Sequence, residues 1–140
     1  MIRIETVERI PQVVLDNLGA YSAQELSRAD THVAAIERGS AFIGVAFDDE
    51  KPLVAFGLMK PALIGPWTLW LLVCRDYTAE YLTATRKAFR ALVAGLGAVQ
   101  TQIEETFVSG QRFARVLGLR PTQIVFDILG VRHRTYEGIF

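Results

Sequence analysis

Residues 67–75 read WTLWLLVCR, and they are followed by YTAEYLTATRKAFRALVAGLG (77–97) and AVQTQIEE (98–105). Trp67, Leu69, Leu71 and Val73 alternate with Thr68, Trp70, Leu72 and Cys74, so both faces of the first run are apolar apart from one threonine. A strand of this kind is expected where helices cover a sheet. From Tyr77 the period becomes helical: Leu82, Thr85, Phe89, Leu92, Val93 and Leu96 form one stripe, while Glu80, Thr83, Arg86, Lys87 and Arg90 face away. Gly95 and Gly97 mark its end. Strand, helix of about five turns and strand predict a right-handed crossover joining two parallel strands. The segment 74–78 then falls at a helix N-terminus, where unpaired amides favour anions.

Working outward, 140 residues of which 51% are hydrophobic suffice for one domain, 1–140, with a core that needs neither metal nor disulfide. Fifteen basic residues balance fifteen acidic ones, which removes the positive footprint of a nucleic-acid or anionic-membrane binder. A protein or a small molecule is the expected partner. Cys74, the single cysteine, has no internal partner, which fits a reducing compartment. Neither a leader pattern nor a long apolar run is visible, so the chain is read as soluble and cytoplasmic.

Ahead of the central stretch, Ile2 and Ile4 alternate with polar residues as in a short strand. Pro11 opens a helix carrying Val13, Val14, Leu15 and Leu18, stopped by Gly19. Ser22 and Glu25 have capping-box spacing, so a second helix is expected from Ser22 to Arg38, with a break near Asp30. Two strands follow, 41–48 and 52–60, separated by an acidic turn in which Asp48, Asp49 and Glu50 are solvated rather than metal-binding. Behind the central stretch, Ser109 is a possible N-cap for a helix at 111–117 with Phe113, Val116 and Leu117 inward and Gly118 as its stop. The tail, broken at Gly130, reads as a terminal strand pair. His133, between Arg132 and Arg134, is expected on a solvated edge, and Trp67 and Trp70 in the core.

The order β-α-α-β-β-β-α-β-α-β-β resembles the GNAT superfamily, the acyl-CoA-dependent N-acetyltransferase fold. VCRDY (73–77) is similar to the segment that ends that family's fourth strand, and FVSGQRFARVLGL (107–119) to its late helix, with Gly110 at the small position and Phe113 at the apolar one. The resemblance implies an α/β mixed sheet whose fourth and fifth strands are parallel and splay apart. It also implies an acyl-CoA site, acetyl-CoA being the simplest case, on the amides of Val73 and of Arg75, Asp76, Tyr77, Thr78 and Ala79.

Against that expectation, Thr78, Tyr81 and Thr83 stand where the family has a basic residue and two glycines, and no glycine occurs between Pro66 and Gly95. Glycine is needed there because backbone amides must approach a pyrophosphate closely. Ala114 stands where the family's tyrosine acid would fall, and Glu104 and Glu105 remain as candidate bases. Cys74 is read as a small strand hydrophobe rather than a nucleophile. The eroded cradle resembles small GNAT-like proteins of short-tailed phages, one of them associated with assembly of the virion core. That likeness implies a non-catalytic assembly or binding protein, with a protein partner and a possible homodimer. The alternative is an acetyl-CoA-dependent N-acetyltransferase acting on a protein or small-molecule amine.

Overall fold

The strands follow the order β1-β2-β3-β4-β5-β7-β6, a mixed seven-stranded sheet, in a computed structural model that describes residues 1–27, 32–61 and 63–140, the side chains of Ser27 and His32 excepted. The described chain divides into two compact units, one of residues 1–60 and 69–78, the other of residues 61–68 and 79–140.

In the first unit β1 (Ile2–Thr6), β2 (Ser40–Asp48) and β3 (Lys51–Met59) pair antiparallel in succession. The helices before β2 are three: α1 (Gln12–Leu15), α2 (Ala20–Ser27) and α3 (His32–Gly39). The break expected near Asp30 lies outside the described residues. Ile10, Val14, Ile36, Val45, Phe47, Ala55, Leu72 and Cys74 form the core here, with Leu18 and Trp70 packed against it. Ile2 and Ile4 do alternate along a strand, but every residue of β1, the edge strand beside β2, is exposed. Asp49 has φ 53° in the β2–β3 turn. With Asp48 it accepts hydrogen bonds from the terminal ammonium of Met1, at 3.2 and 3.1 Å. Among the described residues no group of three His, Cys, Asp or Glu could hold a metal.

The central strand β4 (Trp67–Val73) has buried residues on both faces, Leu69 on one and Leu72 on the other. Trp70 lies over Gly57, where a Cβ would come within 2.5 Å of the indole. Its Nε1–H donates to Ser40 Oγ at 2.8 Å. Both tryptophans are half-buried rather than fully enclosed.

The second unit carries the crossover. Trp67 and Thr68 pair in parallel with Val99 and Gln100 of β5 (Ala98–Glu104), as the helix between two apolar strands predicts. That helix, α4 (Leu82–Val93), is shorter than the periodicity indicates, since a 3₁₀ turn at Ala79–Tyr81 precedes it. Phe89 and Val93 are its buried residues, and Phe89 meets Phe140 edge-on with centroids 5.3 Å apart. The next helix, α5 (Val108–Leu117), ends at Gly118, whose φ of 97° lets the Gly118 and Leu119 amides turn back onto Arg115 and Ala114 carbonyls. It buries Gly110, Ala114 and Leu117 and leaves Phe113 and Val116 half-buried. Ser109 lies within its first turn, not at its cap.

β6 (Arg120–Ile128) and β7 (Val131–Ile139) form the terminal hairpin, turned by Leu129 and Gly130, both at positive φ. β7 pairs with β5 from Ala98↔Ile139 to Glu104↔His133 as well as with β6, which makes it an interior strand. His133 is therefore buried, 7% exposed, where the sequence suggested a solvated edge.

Candidate functional site

The end of β4 is built from hydrogen bonds that alternate in direction. Cys74 N–H donates to Leu53 O at 2.9 Å, toward β3. Backbone groups of successive strand residues point to opposite sides, so Val73 and Arg75 face the other edge, away from β3. That edge is taken by the chain itself. Gly19 N–H donates to Val73 O at 2.8 Å, Arg75 N–H donates to Asn17 O at 2.8 Å, and Leu18 and Cys74 form an antiparallel bridge.

Ser22 completes the arrangement. Its hydroxyl oxygen accepts the Val73 N–H at 2.9 Å, and its side chain is 5% exposed. The capping-box expectation for Ser22 is thus corrected: α2 begins two residues earlier, at Ala20, and the hydroxyl serves β4. Burial decides this, since the Val73 amide would otherwise lose a partner. Arg75 is exposed and its Nη2 donates to Asn17 Oδ1 at 2.7 Å, while Asn17 Nδ2 donates to Val13 O. Tyr77 N–H goes to Cys74 O at 3.1 Å, and Asp76 is exposed. Of the amides expected to hold a cofactor, those of Val73, Arg75 and Tyr77 already have protein acceptors. Sequence reading missed Asn17, Gly19 and Ser22, because no local pattern announces a contact with a strand more than fifty residues away.

The Cys74 thiol is 2% exposed, and its Sγ lies 4.0 Å from Val14 O. Burial, aided by the charge of Asp76, pushes its pKa up from 9.0 to about 11. A thiol so held is not activated.

Thr78, the last residue of the first unit, is exposed; in the second unit Ala79 and Thr83 are exposed, and Tyr81 is buried at 8% exposure, with its carbonyl accepting from Thr85 Oγ1. Tyr81 occupies the position of the first family glycine with a buried side chain. Ala114, at 1% exposure, leaves the late helix without an acid at that position.

Glu104 and Glu105 lie at the end of β5 and are both half-buried. Arg134 Nη2 stands 2.9 Å from Glu105 Oε1, and its Nη1 donates to Thr122 O. The Glu105 backbone is also held, its N–H by Arg132 O and its carbonyl by Gln111 Nε2. Thr106 Oγ1 donates to Glu104 Oε1 at 3.1 Å. Glu104 sits directly opposite His133 across the β5–β7 ladder, so the two side chains leave the same face. The His133 Nδ1 lies 2.8 Å from Val131 O, and since a carbonyl can only accept, Nδ1 is the donor in this bond.

No protein-family model matches the sequence, and no curated protein matches it. Solved structures do match the fold. An acetyltransferase of Bacillus subtilis in complex with CoA aligns with TM-score 0.72 and 11% identity over 100% of this chain and 99% of that one. An acetyltransferase of the GNAT family from Desulfovibrio desulfuricans gives TM-score 0.65 and 15% identity over 99% of both chains. An acetyltransferase from Salmonella typhimurium with its cofactor acetyl-CoA gives TM-score 0.66 and 10% identity, over 99% of this chain and 93% of that one. At these identities the likeness shows the fold: the chain has the GNAT acyltransferase architecture, as the element order implied. It brings no support to the phage likeness.

Proposed function

We propose that the protein is an N-acyltransferase that takes an acyl group, acetyl in the simplest case, from CoA and gives it to an amine. The observation carrying this reading is a fold matched over its whole length by acetyltransferases, two of them solved with CoA or acetyl-CoA. Acetyl-CoA would supply the activated acyl thioester. In the arrangement described, the residues do not yet fit it, because the Val73 and Arg75 amides are bonded to Ser22 and Asn17. No step is therefore routed through the cofactor.

An attacking amine needs a group to take its proton. Glu104 is the better candidate, since the Glu105 carboxylate is held by Arg134 and its backbone by two further hydrogen bonds. His133 stands opposite Glu104 on the same face of the ladder.

Calorimetric titration with acetyl-CoA tests the reading. Saturable micromolar binding, weakened in an Arg75→Glu variant, is the expected result. An absence of binding at millimolar acetyl-CoA would overturn it. That outcome would favour a second reading, a GNAT-fold protein that binds a protein partner without catalysis, which the buried Tyr81 and Ala114 at the family's glycine and acid positions support.

A further inference from the structure

We infer that residues 17–22, the turn after α1 together with the first residues of α2, form an internal strap that competes with ligand for the hydrogen-bonding edge of β4 and must leave that edge before acyl-CoA can use it. The ligand's identity rests on the acyltransferase reading above; the contact itself does not.

Three backbone groups define the edge: the Val73 N–H, the Val73 carbonyl and the Arg75 N–H. The strap satisfies each of them, through Ser22 Oγ, Gly19 N–H and Asn17 O respectively. An acceptor, a donor and a second acceptor in sequence are what an extended amide-bearing chain presents to a strand edge. The arm of CoA carries such amides, so strap and cofactor would make the same bonds and cannot both make them.

The strap is also fitted closely to its place. A Cβ on Gly19 would stand 3.2 Å from Val73 O, tight enough that a side chain there pushes the strap outward. Arg75, the cation nearest this edge in sequence, is tied to the strap through Asn17 Oδ1. The strap's own elements are short, α1 having 4 residues and α2 having 8. Short helices depend on tertiary contacts for their stability; α1 keeps its own through Val14, which is fully buried in the core, so the opening is confined to the contacts of residues 17–22 with β4.

A protein whose binding-competent state is partly populated shows an apparent dissociation constant raised by that fraction. Removing a strap contact from the strap's side, with Arg75 and its charge left in place, should therefore tighten binding. Ser22→Ala deletes the acceptor of the Val73 amide, and Asn17→Ala releases Arg75 while leaving the Asn17 carbonyl in place.

The test combines amide hydrogen exchange on the wild-type protein with acetyl-CoA calorimetry on wild type and both variants. The Val73, Arg75 and Gly19 amides are expected to exchange together and faster than the Cys74 amide, which is bonded to β3. Acetyl-CoA is expected to bind Ser22→Ala about tenfold more tightly than wild type. Exchange of Val73 and Arg75 as slow as that of Cys74 would overturn the strap, whatever the variants do. Binding to wild type that is unchanged or weakened in both variants would overturn it too, while leaving the acyltransferase reading intact. If neither wild type nor variants bind acetyl-CoA at millimolar levels, the acyltransferase reading fails, and with it the competition proposed here.

Discussion

Cys74 shows at the scale of one residue how position outweighs residue type. Beside a helix N-terminus in sequence, it could have been an activated thiol; in the fold it is a buried hydrophobe whose pKa rises to about 11. A pKa higher in the folded than in the unfolded chain stabilises the fold fully below the unfolded value, and that stabilisation is lost as pH rises through the folded one. Stability should thus fall between pH 9.0 and about 11, by about 3 kcal/mol. Urea melts on either side of this window would show the loss, and a Cys74→Ala variant should flatten it. The two glutamates differ for a similar local reason. Glu104→Gln should lower kcat/KM for acyl transfer by roughly a hundredfold, the usual scale of general-base catalysis, whereas Glu105→Gln should act mainly on stability through the lost Arg134 pair; steady-state kinetics with thermal melts separates them. The difference between their surroundings could not be read from the dipeptide, because Arg134 and His133 come from another strand.

At the scale of elements, close approaches explain several glycines. Gly57 gives up its side chain to Trp70, so Gly57→Val should displace the indole and cost about 3 kcal/mol, visible as lower stability and altered tryptophan fluorescence. Gly118 ends α5 at φ 97°. A Gly118→Ala variant should lose about 1–2 kcal/mol, the cost of a left-handed L-residue, measured by chemical denaturation. This stop was legible in the sequence, because glycine after an amphipathic run has a local reason to be there. The boundaries of α1 and α2 were not. Apolar spacing over 11–18 suggested a helix running to Gly19, but the chain turns at Asp16 and Asn17 to reach β4. Ser22 and Glu25 kept the spacing of a cap while the hydroxyl served another element.

For the whole molecule, a ligand that binds only the folded state raises its melting temperature by mass action. Acetyl-CoA at about a hundred times its dissociation constant would add about 2.7 kcal/mol, or roughly 8 °C for a chain of this size. Differential scanning fluorimetry would read it, and a null shift at millimolar concentration would agree with a null titration. No helix among the described residues is long and apolar enough to cross a membrane.

The sequence by itself determined the order of strands and helices, the parallel pairing of β4 with β5 and the missing glycine cradle. These follow from periodicities of two and 3.6 and from glycines and prolines that punctuate the chain, all of them local signals. Only the tertiary structure decided who occupies the edge of β4 and whether His133 meets water. The β5-β7-β6 order places β7 inside the sheet, and the hydrogen bond from Val73 to Ser22 spans 51 residues. Burial and long-range pairing depend on which backbone groups the rest of the fold leaves without partners, and no window of sequence contains that information.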